Sequence, residues 1–179
     1  MKLFRKKPKR EEEKPLFRFY PGAYDEGGPL IVSEDRCDCC GNPCVWKYAG
    51  NIYAREKFAV CAGCIGSGAI QSLFAKDGYS LHDIEFEFEV PRELADEVLE
   101  RTPGVACFNP FVWPIHNGKP MVFIGYGDSP KLAKNAAAIE ATENAFRALG
   151  AEGVSGPSPY ALIFQELGGE VLRAVIDMD

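Results

Sequence analysis

The clearest chemistry in the sequence belongs to four cysteines, Cys37-x2-Cys40 and Cys61-x2-Cys64, with twenty residues between the pairs. Thiolates are soft ligands, and two C-x2-C turns at about this separation present four of them to one divalent ion as a tetrahedron. Gly41 directly follows the second cysteine, where a metal knuckle turns through a positive φ that glycine adopts without strain. The spacing therefore predicts one structural Zn2+ site formed by Cys37, Cys40, Cys61 and Cys64. All four positions are filled by protein, so none is left to activate a water. Within Cys37-Asp38-Cys39-Cys40, Cys39 is an alternative to Cys40, and Cys44 lies close enough to offer a fifth thiol. Cys39, Cys44 and Cys107 are otherwise spare thiols, the residues open to ligand exchange or oxidant sensing.

Other reactive patterns are sparse. His82 and His116 are the only histidines, and neither has a nucleophile or acid at a diagnostic spacing. Cys107 with His116 is the one conceivable thiol–imidazole pair. Gly125-Tyr126-Gly127-Asp128-Ser129 leads from a strand towards a helix, yet it matches neither the dinucleotide fingerprint nor the nucleotide-binding lysine loop. A turn with a helix cap accounts for it.

Positioning the cysteines requires a chain that doubles back. Val45–Tyr48 and Ile52-Tyr53 flank Ala49-Gly50-Asn51 as a hairpin, and Lys57–Val60 reads as a strand entering Cys61, so the predicted unit is a zinc-ribbon-like hairpin over 37–64. Leu16–Tyr20 and Leu30–Val32 read as short strands. Apolar residues from Ile65 to Ala75 fall at helical spacing, weakened by Gly66 and Gly68 and ended by Asp77-Gly78. Ile84–Val90 alternates strictly, as a half-buried strand does. A helix spans Arg92–Arg101, and the proline-broken, aromatic stretch 105–120 reads as an ordered loop. Met121–Tyr126 is a buried strand. The clearest helix has its start marked by Asp128-Ser129 ahead of Pro130 and its end by Gly150 after Leu149, and a hairpin of Tyr160–Leu167 and Val171–Ile176 closes the chain. The fold class is α+β, with mixed strands and two or three helices in a single domain over 15–179.

The chain has 179 residues, 46% hydrophobic and 26% charged, which suits one domain and excludes a mainly disordered chain. No apolar run is long enough to span a membrane. The net charge of −6 is uneven: residues 1–14 form a basic, flexible arm with seven Lys or Arg against three Glu, and the rest holds 13 basic against 23 acidic residues. An acidic body repels phosphate backbones, so nucleic acid is disfavoured as a partner. The arm lacks the apolar segment of a signal peptide, which indicates a cytoplasmic protein, and in a reducing compartment clustered cysteines indicate a metal rather than disulfides.

Several segments resemble the bacterial CbrC family in order: Pro15–Pro21, Cys37-Asp38-Cys39-Cys40-Gly41, Tyr48–Tyr53 and Cys61–Ala69, then Arg101-Thr102-Pro103-Gly104, Trp113 with His116, Phe123-Ile124-Gly125 and Asp177. The resemblance covers 15–179 and implies a non-enzymatic protein associated with colicin tolerance, with Cys37, Cys40, Cys61 and Cys64 as zinc ligands. Family cysteines after the tryptophan and near the C-terminus are replaced here by His116–Pro120 and Gln165–Gly169, so a second metal site is not expected.

Together these readings predict a zinc-stabilised, non-enzymatic protein-interaction protein, a toxin-immunity or tolerance factor with a basic toxin as partner. A nucleic-acid-binding zinc ribbon using Lys47, Arg55 and Lys57, and a thiol-based redox protein, are the alternatives.

Overall fold

The structure, a computed structural model, describes residues 14–54, 57–74 and 80–178. The first thirteen residues of the basic arm, Arg55 and the helix stop at Asp77-Gly78 lie outside them.

The chain enters as a turn rather than the expected strand, because Phe17, Phe19 and Tyr20 all point inward and no neighbour pairs with the full run. A bond from the Phe123 amide to the Phe19 carbonyl, 3.0 Å, ties it to the later chain, alongside the Arg18–Glu97 ion pair. Strand β1 (Leu30–Val32) then pairs antiparallel with β2 (Trp46–Tyr48), Leu30 opposite Tyr48. The expected 45–53 hairpin does not form. β2 is committed to β1 on one edge, while on the other it meets the chain before Cys61 through the Lys47–Cys61 bridge and the Tyr48 N–H to Val60 carbonyl bond of 2.8 Å. Tyr53 instead bridges to Ser80. The four cysteines lie close together in a small irregular lobe near the N-terminus, without the local 45–53 hairpin expected of a zinc ribbon.

The expected helix over 65–75 is two short ones, α1 (Ala62–Gly66) and α2 (Gln71–Phe74), split where Gly68 takes a φ of +74°. A left-handed residue ends a helix, and glycine is the residue that adopts it most cheaply. Strand β3 (Ile84–Phe86) is shorter than the alternating pattern, and α3 (Arg92–Arg101) has the expected bounds. The proline-broken stretch is richer than a loop: β4 (Phe111–Trp113) runs parallel to β3, and β5 (Ile115–His116) and β6 (Lys119–Pro120) make a tight hairpin with Asn117 and Gly118 at positive φ.

The main sheet comes last. Strands β7 (Val122–Tyr126), β8 (Ala161–Gln165) and β9 (Leu172–Ile176) are antiparallel in that order, the last two forming the expected C-terminal hairpin. Helix α4 (Ala136–Ala148) packs on β9 and β8. Its cap is Asn135, whose side-chain oxygen accepts from the amides of Ala137 and Ala138 at 3.0 and 3.2 Å. The start signal at Asp128-Ser129-Pro130 belongs instead to a turn preceding a short 3-10 segment, Leu132–Lys134.

The result is a mixed α and β domain with four α-helices and several small sheets among the described residues. Its core is aromatic. Trp113 is fully buried, T-shaped against Phe164 at 5.1 Å and stacked on Phe111 at 6.0 Å, and its indole N–H donates to the Met121 carbonyl at 2.9 Å. This core is continuous with Cys37, Cys61 and Cys64, so the cysteine lobe is built onto it.

Candidate metal centre

The first knuckle is closed by backbone before any ligand is considered. The Cys37 amide donates to the Asn42 carbonyl and the Gly41 amide to the Cys37 carbonyl, both at 2.8 Å, with Gly41 at a φ of +71°. Asp38 ties this knuckle to the second one: its amide donates to the Ala59 carbonyl at 2.8 Å, and its carboxylate accepts from the Ala59 amide at 2.7 Å. Two residues later Cys61 is the N-cap of α1, which carries Cys64. The sequence therefore brings two thiols from a turn and two from a helix start to one point.

The four ligand atoms of Cys37, Cys40, Cys61 and Cys64 all lie within 4.8 Å of one another. Cys37 Sγ is 3.7 Å from Cys64 Sγ, and Cys40 Sγ is 3.9 Å from Cys61 Sγ. These gaps far exceed the roughly 2.05 Å of a disulfide, and the cysteines are free thiols. The arrangement suits a metal ion.

Electrostatics favour the same use. Burial pushes the Cys37 thiol up, but backbone amides of Cys61, Cys40 and Cys39 outweigh it and hold the group down at about 7; the Cys61 amide lies 3.4 Å from the sulfur. Burial drives Cys61 up to about 11, with the Cys64 amide giving partial relief. Cys64 is pushed still further up by burial and by the neighbouring thiols. Four such groups cannot all ionise on their own, because each negative sulfur opposes the next. A divalent cation among them reverses that repulsion.

The two nearby spare thiols fall outside the cluster. Cys39 turns away to donate to the Ala69 carbonyl at 3.3 Å, with Ser72 Oγ at 4.0 Å. Cys44 is fully buried, and burial followed by the nearby Cys37 and Cys61 pushes its thiol up to about 12. Cys39→Ser is therefore expected to purify with the same metal content as the parent, whereas Cys40→Ser lowers it. Elemental analysis of the two variants checks the choice between these neighbours.

The third spare thiol and the histidines are held by other partners. Cys107 lies by Tyr53, Asp83 and Asp177, and its thiol is raised by burial and then by both carboxylates. His116 meets Glu166 at 3.4 Å, so the conceivable Cys107–His116 pair is not assembled. His82 is buried with Nε2 2.9 Å from the Thr102 carbonyl and its ring T-shaped to Trp113. Burial lowers its pKa from 6.5 to about 4, against the pull of that carbonyl. As pH falls through 6.5 the unfolded chain takes a proton that the folded chain refuses. Stability is thus expected to decline between pH 6.5 and about 4, by about 3 kcal/mol in total from this group, and to flatten below. Urea unfolding across this range, with His82→Gln as the non-titrating control, measures the slope.

Among the cations expected for nucleic acid, Lys47 is engaged by Asp35 at 2.6 Å, and that hydrogen bond holds the Asp35 carboxyl below its ordinary range. No helix among the described residues is long and apolar enough to cross a membrane.

Comparison with known proteins corrects one expectation. The family model that matches is that of an uncharacterised protein family, UPF0167, over residues 14–153. Two similar proteins are UPF0167 protein Mb2317 of Mycobacterium bovis (strain ATCC BAA-935 / AF2122/97) and UPF0167 protein MT2352 of Mycobacterium tuberculosis (strain CDC 1551 / Oshkosh). Each is 29% identical over 139 residues, covering 74% of this chain and 71% of the relative. No solved structure matches. The match spans the cysteine lobe, both of its knuckles and Trp113, ending before β8, and it overturns the expected CbrC membership: the chain belongs to the uncharacterised family UPF0167.

Proposed function

We propose that the protein is a zinc-stabilised, non-enzymatic protein-interaction domain. The observation that carries this reading is the closed cluster of four thiols, with sulfur separations of 3.7 and 3.9 Å across its two measured edges. A zinc–sulfur bond of about 2.3 Å in a tetrahedron implies edges of about 3.8 Å. The donor set is all sulfur, which selects zinc over the oxygen-seeking divalent ions. With four protein ligands the ion would organise the fold and supply no open position for substrate or water.

Cys37, Cys40, Cys61 and Cys64 would hold the ion, and the amides around Cys37 would share the negative charge. The free thiols suit a reducing compartment such as the cytoplasm. An acidic body supports a basic protein partner, since opposite fields speed and orient docking. The same field, together with the Lys47–Asp35 pair, weighs against nucleic acid. The toxin-tolerance role rested on the CbrC resemblance and loses its support with it.

The test combines metal analysis with partner capture. Native mass spectrometry of the purified full chain is expected to show one zinc per molecule. Quantitative cross-linking in cell extract is expected to recover a basic protein in stoichiometric yield. A chain that carries no zinc, or that recovers no protein partner, overturns the reading.

A further inference from the structure

The loop over 106–109 is fixed by three hydrogen bonds from two side chains. The Asp177 carboxylate accepts from the Phe108 amide at 2.6 Å and the Asn109 amide at 3.0 Å, and the Tyr126 hydroxyl donates to the Ala106 carbonyl at 2.8 Å. On this rigid mount the Phe108 side chain is 78% exposed. Tyr160, 44% exposed, lies with its ring centroid 6.4 Å away, and its carbonyl accepts from the Asp177 amide at 2.8 Å. Two neighbouring exposed aromatic rings on a pinned backbone suit a binding surface, because they offer apolar area on a loop whose backbone binding need not order.

The surroundings are negative. Asp83 and Asp177 both raise the neighbouring Cys107 thiol. After burial, Tyr53 is raised by Cys107 and Asp83, and Tyr126 by Cys107 and Asp177. Of these neighbours Asp83 and Asp177 carry the negative charge, and none is a basic side chain. Elsewhere, in the cysteine lobe, the chain itself shows how a cation seats on its aromatic faces: Lys14 Nζ lies 4.1 Å from the Trp46 ring centroid and 5.0 Å from that of Tyr24.

We propose that Phe108 and Tyr160, backed by the buried Asp177 and with the exposed Asp83 held at the far end of the loop by the Phe111 amide, form the docking surface for an arginine-bearing segment of a partner protein. A guanidinium stacks flat on an aromatic face and at the same time forks onto a carboxylate, which a lysine ammonium does less well. Asp177 fixes the loop and supplies charge from behind, and the exposed Asp83 is the carboxylate open to the ligand. The inference rests on the protein-binding reading above and names the chemistry of its partner.

The probes are oligo-arginine, oligo-lysine and oligo-glutamate peptides of equal length, titrated into the full chain at two salt concentrations. Oligo-arginine is expected to bind more tightly than oligo-lysine, with oligo-glutamate inert. Phe108→Ala weakens oligo-arginine binding about tenfold, Asp83→Asn weakens it less, and Glu140→Gln on the exposed side of α4 leaves it unchanged. Tyr160→Ala serves as the second ring variant should Phe108→Ala fail to fold. Absence of oligo-arginine binding, equal binding of oligo-glutamate, or equal effects of Phe108→Ala and Glu140→Gln overturns the surface. A partner captured equally by the parent and by Phe108→Ala also overturns it while leaving the protein-binding reading intact; capture by neither removes that reading.

Discussion

Cys61→Ser is expected to unfold the N-terminal lobe rather than merely to vacate a ligand position. The sulfur of Cys61 faces three other thiols, and its residue is both the N-cap of α1 and the bridge partner of Lys47 on β2. A structural four-thiolate zinc contributes on the order of 10–16 kcal/mol of apparent binding free energy. Domains of this size have a net stability of only about 5–15 kcal/mol, so most of it would be lost. The loss spreads because Cys37, Cys61 and Cys64 share one core with Tyr48, Ile65, Ile70 and Trp113. Circular dichroism during heating is the readout: a cooperative transition in the parent, and a broad or absent one in Cys61→Ser and in the parent with a strong chelator. Identical melting with and without chelator would mean that the four thiols do not stabilise the fold through a metal.

Trp113→Ala carries the second large effect. Trp113 ties β4 to the main sheet, since its ring lies against Phe164 of β8 and Phe111 of β4 while its N–H closes on Met121. Truncating a buried tryptophan costs about 3–5 kcal/mol for lost burial and the resulting cavity. The Met121 carbonyl, left without its donor in a dry core, adds about 1–3 kcal/mol. Together they approach the whole stability of an average domain. Trp113→Phe keeps most of the ring contact and loses the hydrogen bond, so it is expected to fall between Ala and the parent in urea midpoint. A Phe variant as unstable as Ala would shift the weight from packing to the indole bond.

The clustering of four cysteines was legible because cysteine spacing is a local constraint: C-x2-C turns bring their own sulfurs together whatever surrounds them, and Gly41 marks the turn. α3, β8 and β9 were legible for the same reason, each having a strong period between clear stops. What failed depends on which distant strand a segment meets. β2 reads as one arm of a local hairpin, yet its partner is β1, and only the fold decides that competition. β4 was hidden among prolines because its parallel partner β3 lies more than twenty residues away. The start of α4 was misread because Asp128-Ser129-Pro130 and Asn135 are both good start signals, and the cap went to the residue whose side chain reaches two free amides. Phe108 drew no attention in the sequence beyond being one aromatic of a loop, because exposure is not written in a residue's type.

The four thiols differ in access: Cys37, Cys61 and Cys64 are buried, and Cys40 is exposed. Affinity belongs to the set, but the rate of exchange belongs to its weakest wall. An incoming chelator or a competing ion would meet Cys40 first, and a bound ion would start to leave there while three sulfurs still held it. Such a centre would be thermodynamically tight and kinetically open on one side, with loading and unloading governed by whatever covers that single residue.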